Sequence, residues 1–334
     1  MKTLLPILLA AAVAAASDAT PEPRARSFHM EYRATVKEIP TGAKHVDFWI
    51  PVPHDDPYQK IRDLRIESKY GDQVATAPEG NAMLHVGIDN PQERAVTVKL
   101  SFDVTRMEHV QSRLSGGPKL KREESARALA PFLHPDRLVP IDNQIRAWAR
   151  DVVTKAKAHT DLEMARAIYN HVVATVKYDK TGKGWGRGDI YYACEERRGN
   201  CTDFHAIFIG YARALGIPAR FAIGFPLPAG RGEGQIGGYH CWAEFYAKGI
   251  GWVPVDASEA AKNPDKRQYF FGAHDENRIE FSKGRDVVLV PNQHGDPLNY
   301  FVYPYAEIDG QPFAGTDLVV TYRDAEAPPA TGNR

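Results

Sequence analysis

Gly199-Asn200-Cys201-Thr202-Asp203-Phe204-His205 is the stretch of sequence that decides the fold. Apolar residues recur after it at helical spacing as far as Leu215, and Gly216 and Pro218 then supply strong helix stop signals. The pattern predicts a largely buried helix with Cys201 in its first turn. Unpaired N–H groups and the positive dipole end at a helix start stabilise an anion such as a thiolate. Cys201 is therefore a candidate nucleophile, and its own N–H could face a developing oxyanion.

A base for this thiol is predicted in an aromatic, strand-like run further along the chain. The run is Gly238-Tyr239-His240-Cys241-Trp242-Ala243-Glu244-Phe245-Tyr246. A turn at 248–251 follows, and a second strand ends at Asp256. A hairpin centred near Lys248 would place His240 beside Asp256, whose carboxylate could fix the imidazole tautomer. Cys201, His240 and Asp256 thus form a predicted triad for acyl transfer through a thiol.

These motifs, with Gly251-Trp252-Val253-Pro254-Val255-Asp256 as the third, resemble the three core motifs of the transglutaminase-like superfamily. Cys, His and Asp come in the family's order, and the similarity is strongest from about 178 to 256. The resemblance implies an α+β fold with a papain-like catalytic core and amide chemistry through an acyl-enzyme. It does not select a substrate, because the superfamily includes transglutaminases, proteases, other amidases and inactive relatives.

The resemblance also draws attention to Trp185, which lies in a glycine-rich segment before the nucleophile. In the family an aromatic residue upstream of the nucleophile can help to stabilise the oxyanion, and Trp185 is the nearest candidate. Its glycine-rich setting equally allows a place in a substrate-binding lip. The segments 182–188 and 229–238 are rich in glycine and poor in apolar anchors, so both are expected to be mobile lips of a cleft.

The chain before the cysteine region divides into a β-rich part and a helical part. Short apolar alternations broken by turn residues predict antiparallel strands, so a β-sandwich-like N-terminal domain is expected over 27–111. The polar stretch 112–121 is the predicted linker. Apolar residues at helical spacing in 141–152 and 162–172 predict two helices. The catalytic domain, with C-terminal strands, is expected over 122–325.

The start of the chain predicts export. Residues 1–19 have the pattern of a secretory signal peptide, and their apolar run is shorter than the roughly 20 residues that a membrane span needs. A periplasmic or secreted protein without a membrane span is expected. The chain has 42 basic and 42 acidic residues, so its charge does not favour a nucleic-acid partner. The expected partner is a polypeptide or another peptide-like amide substrate, without a cofactor or a metal.

The three cysteines are Cys194, Cys201 and Cys241. An odd number in an exported protein leaves at least one free thiol. We expect this to be Cys201, so that any disulfide would join Cys194 to Cys241. A zinc site of cysteines and histidines is disfavoured because the adjacent strand residues His240 and Cys241 point to opposite faces. His205 is expected to pack beside the site, and Cys241 behind it.

The sequence favours a cysteine hydrolase, either a protease or another amidase. A protein-crosslinking transglutaminase is the alternative enzyme, since no residue decides whether water or an amine takes the acyl group. A non-catalytic binding or assembly module on the same fold is the alternative from a different class. An intact set of Cys201, His240 and Asp256 argues against that module.

Overall fold

The computed structural model describes residues 22–118 and 120–325; the predicted signal peptide at 1–19 lies outside them. The strands are β1 Ala25–Val36, β2 His45–Val52, β3 Gln59–Glu67, β4 Val74–Thr76, β5 Ala82–Asp89, β6 Val96–Met107, β7 His109–Val110, β8 Lys177–Tyr178, β9 Arg198–Gly199, β10 Ala219–Pro226, β11 Glu233–Gln235, β12 His240–Ala247, β13 Gly251–Val255, β14 Ala273–His274, β15 Arg278–Lys283, β16 Tyr305–Ile308, β17 Gln311–Phe313 and β18 Thr316–Asp324. The α-helices are α1 Ala126–Leu129, α2 Asn143–Lys155, α3 Asp161–Thr175, α4 Ile190–Glu196, α5 Cys201–Ala214 and α6 Ala257–Lys262. Short 3-10 helices cover Ser112–Ser115, Ala130–Leu133 and Pro264–Lys266.

Two five-stranded antiparallel sheets enclose one apolar core and form a β-sandwich. The first sheet has the order β11-β18-β1-β6-β3, and the second has the order β17-β16-β2-β5-β4. Every second residue of β1 and β2 points into the core: Phe28, Met30, Tyr32, Ala34, Val36, Val46, Phe48, Ile50 and Val52. This period of two is what the sequence alternation predicts for β1, whose other face is at least partly exposed, whereas β2 is buried on both faces.

The C-terminal strands β16, β17 and β18 complete the sandwich, whereas the sequence predicts them in the catalytic domain. β18 pairs with β1 from Phe28 opposite Asp324 to Val36 opposite Thr316, and β16 pairs with β2. The apolar alternation within a strand defines its buried face but not its neighbour in the sheet, because pairing is a long-range property. The helical segment and its sheet are therefore inserted between parts of the sandwich.

The second layer is a four-stranded antiparallel sheet with the order β13-β12-β10-β15, covered by helices. α5 packs against β12, α3 and α4, and all fourteen of its residues are buried. The two helices expected before the cysteine region are α2 and α3, while the short α4 was not expected. An α+β fold results. Within the described residues, no helix has both the length and the apolar character needed to cross a membrane.

Candidate active site

The start of α5 holds Cys201, which is 2% exposed. Asn200 caps the helix: its side-chain oxygen accepts a hydrogen bond from the backbone N–H of Thr202 (2.9 Å), and its own N–H donates to Asp203 (2.9 Å). This reciprocal cap satisfies N–H groups that a helix start otherwise leaves unpaired. The expected position of Cys201 in the first turn of a buried helix is confirmed.

Asp203 also fixes the glycine-rich segment before the helix. Its two carboxylate oxygens accept hydrogen bonds from the N–H groups of Gly186 (2.7 Å) and Gly188 (3.0 Å). Gly199 passes close to the same carboxylate with a φ of +153°, and an added Cβ would lie 2.1 Å from an Asp203 oxygen. Only glycine fits there. Asp203 thus completes the cap of α5, and the segment that it holds is anchored at its C-terminal end.

The hairpin β12–β13 brings His240 and Asp256 together as expected. Its register places Ala243 opposite Val255, so Asp256 comes level with Trp242, on the face of the hairpin that also carries His240 two residues away. Nε2 of His240 is 2.7 Å from Oδ2 of Asp256, and both side chains are buried. Because Nε2 is occupied by the carboxylate, Nδ1 is the nitrogen that remains for the Cys201 thiol.

Asp256 is held by more groups than the sequence indicated. Its Oδ2 also accepts a hydrogen bond from Arg278 (3.0 Å), and its Oδ1 accepts from the Ser258 hydroxyl (3.0 Å) and the N–H of Glu259 (2.9 Å). Sequence reasoning missed Arg278, which lies on β15, because no motif links that strand to the triad. Asp256 therefore does two things at once: its Oδ1 caps the start of α6, and its Oδ2 contacts His240.

The charges of these groups favour a thiolate paired with an imidazolium. Burial alone would raise the pKa of Cys201, but hydrogen bonds with Cys241 and His240 and the charge of His240 bring it well below its ordinary value. Burial opposes protonation of His240, yet the Asp256 carboxylate and the Cys201 sulfur raise its pKa to about 10. The pKa of Asp256 falls well below the usual range despite burial, owing to His240 and Arg278. A reactive thiol near neutral pH is the consequence.

His205 lies beside the cluster but cannot replace His240 as the base. Its Nε2 accepts the backbone N–H of Ala257 (3.2 Å), and its Nδ1 is 3.8 Å from the sulfur of Cys241. Burial lowers the pKa of His205. The expectation of a packing histidine is therefore met by a neutral, fully buried ring with both nitrogens occupied. Cys241 was expected behind the site, but its sulfur takes part in the hydrogen bonding of Cys201.

All three cysteines are free thiols, including Cys194 and Cys241. Cys194 lies on α4, where its sulfur is 3.3 Å from the hydroxyl of Tyr211. It therefore has a hydroxyl neighbour and no disulfide partner within the described residues.

The two glycine-rich segments differ in their surroundings. Trp185 is partly buried in the first segment, next to the anchored Gly186. In the second segment Glu233–Gln235 forms the edge strand β11, which pairs with β18 of the sandwich. The expected second lip is thus tied at its centre to the first sheet. Tyr239, just after it, donates its hydroxyl to the carbonyl of Gly186 (3.4 Å) and joins the two segments.

A separate cavity of about 290 Å³ lies between the sandwich and the four-stranded sheet. It is lined by charged side chains from both layers, including Arg106 of β6, Arg220 of β10 and Glu244 of β12, and not by the Cys201 cluster. Its walls are ion-paired: Arg220 contacts Glu244, and Arg106 contacts Asp56. None of the side chains of Cys201, His240 and Asp256 lines this cavity.

Residues 146–257 match the family model of the transglutaminase-like superfamily, and this range contains all three candidate catalytic residues. The chain contains a transglutaminase-like domain. A protein of Haemophilus influenzae, named only as uncharacterized, is 27% identical to the chain over 316 residues, which are 84% of this chain and 85% of that one.

One solved structure that was compared shares the fold of both the transglutaminase-like domain and the sandwich. A candidate cysteine protease of Cytophaga hutchinsonii, as its structure is described, superposes with a TM-score of 0.60 at 17% identity, over 91% of this chain and 92% of that one. The periplasmic domain of TgpA from Pseudomonas aeruginosa gives a TM-score of 0.37 at 16% identity, over 70% and 77% of the two chains. The first match covers both the sandwich and the transglutaminase-like domain, so the combination of the two layers is a shared architecture.

Proposed function

We propose that this protein transfers acyl groups from peptide-like amides through a Cys201–His240–Asp256 triad, with water as the acceptor. The observation that carries the proposal is the 2.7 Å contact between His240 and Asp256 beside a helix-start thiol whose pKa is lowered. A protease or another amidase of this kind requires three groups: a nucleophile, a base and a group that orients the base.

The reaction follows from the protonation states of the pair. The Cys201 thiolate attacks the amide carbonyl, and the imidazolium of His240 donates its Nδ1 proton to the departing amine as the C–N bond breaks. A thioester with Cys201 remains. Neutral His240 then takes a proton from water, the hydroxide attacks the thioester, and the carboxylic acid leaves with the thiolate restored. Asp256 stabilises the imidazolium at the start of each cycle.

Two features support the proposed roles of the surrounding groups. Trp185 lies in the segment anchored to the nucleophile helix through Asp203, which suits a contact with substrate or with the oxyanion. The N–H groups at the start of α5 favour negative charge next to Cys201. We also propose a periplasmic or secreted location, on the pattern of residues 1–19.

Hydrolysis is the first activity to test, because the Cytophaga protein with the same architecture is described as a candidate cysteine protease. The purified chain is incubated with unfolded polypeptides, with and without a dansylated primary amine, and products are identified by mass spectrometry. Cys201→Ala serves as the matched inactive control, and Cys194→Ala as the cysteine control that should remain active.

The outcomes separate the candidate functions. Peptide cleavage that requires Cys201 supports hydrolysis. Incorporation of the dansyl amine without cleavage would assign the chain to amine transfer, the alternative enzyme. If Cys201 does not react with iodoacetamide at a pH below the ordinary cysteine pKa of about 8.5, then the thiolate on which both activities depend is not present. That result would favour a binding module.

A further inference from the structure

A second cluster of histidines and carboxylates lies on the outward face of the second sheet of the sandwich. Asp47 on β2 is directly opposite Glu307 on β16, and its neighbours Val46 and Phe48 point the other way, into the core. His294 comes from the loop before β16. One ligand atom from each of Asp47, His294 and Glu307 lies within 4.8 Å of the others.

The cluster places two carboxylates side by side with little access to water. The side chain of Asp47 is 12% exposed and that of Glu307 is 0% exposed. Like charges opposite each other on paired strands destabilise a sheet. Within the described ranges, neither carboxylate has a Lys or Arg at ion-pair distance; the ionisable groups that contact them are histidines. A bound cation would neutralise both carboxylates at once.

Two further histidines hold Asp47 in one orientation. Nε2 of His45 (3.2 Å) and Nε2 of His85 (2.8 Å) both contact the same oxygen, Oδ1, so that Oδ2 is left for another partner. His45 is itself fixed by Asp89, 2.7 Å from its Nδ1. Such outer hydrogen bonds typically orient the carboxylate and imidazole ligands of metal ions.

Glu307 and His294 are also pre-positioned. The N–H of Gly295 (2.7 Å) and the hydroxyl of Tyr305 (2.8 Å) hold Oε1 of Glu307, while Nδ1 of His294 lies 2.9 Å from Oε2. Ligand atoms bound at about 2.0 to 2.1 Å around a tetrahedral zinc ion are about 3.3 Å apart. The cluster therefore needs only small side-chain shifts to surround an ion.

We propose that Asp47, His294 and Glu307 bind a divalent first-row transition ion, with Zn²⁺ as the best match. One imidazole and two carboxylates form a mixed nitrogen and oxygen set, which suits Zn²⁺ better than Ca²⁺ or Mg²⁺. The ion neutralises the paired carboxylates and fastens the loop of residues 293–296 to the second sheet. The site shares no residue with the candidate active site, so it stands independently of the proposed function.

The test measures Zn²⁺ binding to the full chain in a Cys201→Ser background, which removes the reactive thiol as a competing zinc ligand. The chelator-treated protein is titrated with Zn²⁺ by calorimetry, and its melting temperature is followed. We expect one equivalent to bind and to raise the melting temperature, because an ion that binds only the folded state stabilises it. Ca²⁺ and Mg²⁺ at the same concentration should have much smaller effects.

Variants then locate the ion. His294→Ala should weaken Zn²⁺ binding by at least about 100-fold, and His85→Gln by roughly 10- to 100-fold. The His294 side chain is 65% exposed, so its removal should leave the fold intact. His29→Gln is the matched control, because His29 forms a single histidine–carboxylate pair with Asp103 on the first sheet (2.8 Å). That variant should bind zinc as the background does.

Co²⁺ provides a check on the ligand atoms. Bound through imidazole and carboxylates, it should give visible d–d absorption without the sulfur-to-cobalt band that a cysteine ligand produces. Binding that is unchanged in His294→Ala, a sulfur-to-cobalt band, or the absence of saturable Zn²⁺ binding would each overturn the proposal.

Discussion

The triad region and the sandwich cluster combine histidine and carboxylate side chains in two different environments. The side chain of His240 is 6% exposed beside a fully buried Asp256, whereas that of His294 is 65% exposed beside a buried Glu307. Electrostatic attraction is stronger away from water, so the buried pair holds a proton while the exposed pair is open to a competing cation. The two regions contain the same types of side chain. Burial and a neighbouring thiol therefore distinguish the region with proposed acid–base chemistry from the region with proposed ion binding.

The largest effect that would test this contrast is loss of the triad itself. Cys201→Ala and His240→Ala should each lower turnover by about three orders of magnitude or more, because both groups act in one covalent step. The double variant should be no slower than the slower single one. A double variant that is far slower than either would mean that the two groups do not share a mechanism. Turnover is measured on a cleaved polypeptide, with His294→Ala as the variant that should retain activity.

The next effect concerns the two carboxylates. Asp256→Asn should lower turnover by roughly two to four orders of magnitude, because the histidine loses its orienting partner. It should also cost about 1.5 to 3 kcal/mol of unfolding free energy, since the buried Arg278 would lose its nearer carboxylate partner and keep only Asp275. Asp47→Asn, measured without metal, should cost only about 0.5 to 1.5 kcal/mol. Urea denaturation compares the two, and equal costs would contradict the role given to burial.

A mild effect of Asp256→Asn on stability would follow if the residue only oriented His240. Because Asp256 also contacts Arg278, Ser258 and Glu259, we expect the substitution to lower the unfolding free energy as well as the rate. These partners come from β15 and from the start of α6, and the sequence gives no indication of the first of them.

The pH dependence of thiol reactivity sharpens the comparison further. Because the pKa of Cys201 is lowered and that of His240 is raised to about 10, alkylation by iodoacetamide should stay near its plateau well below pH 8.5. In His240→Asn the partner charge is lost and burial raises the thiol pKa, so the profile should move to higher pH. An unchanged pH profile in that variant would show that His240 does not lower the pKa of the Cys201 thiol.

The same shift has a defined sign for stability. His240 has a higher pKa in the folded protein than the ordinary value of 6.5, so its contribution is fully present below pH 6.5 and is lost as pH rises towards about 10. The lowered pKa of Cys201 acts with the opposite sign, so the comparison is made without the thiol: Cys201→Ala should lose more stability over that range than Cys201→Ala/His240→Asn. Thermal unfolding at several pH values measures the difference, and parallel curves for the two proteins would contradict it.

The smallest expected effect on turnover belongs to Trp185. We expect Trp185→Ala to impair acylation much more than it lowers thermal stability, because the residue is only partly buried beside the anchored Gly186. If Trp185 were instead a core anchor, truncation should cost about 3 to 5 kcal/mol of unfolding free energy. Single-turnover acylation and thermal melting distinguish the two. A collapsed melting temperature with full specific activity in the remaining folded protein would end the proposed role in the lip.

The three candidate triad residues could be predicted from sequence because their proximity depends on local features. A helix start places Cys201, and one hairpin places His240 next to Asp256, so spacing and turn signals were sufficient. The sandwich cluster could not be found in this way, since His294 and Glu307 meet Asp47 across more than two hundred residues of chain. The same limit explains the missed Arg278 and the assignment of the C-terminal strands to the wrong layer.

The pairing of β18 with β1 also sets an order of events in folding. Arg26 and Asp324, 298 residues apart in the chain, meet at 2.8 Å, so the first sheet closes only after the last strand has been made. The inserted segment between 126 and 283 can form its helix and hairpin contacts earlier, because those contacts are closer in sequence. A chain shortened before residue 305 would lack three strands of the sandwich and expose the edges of β1 and β2, which are templates for aggregation.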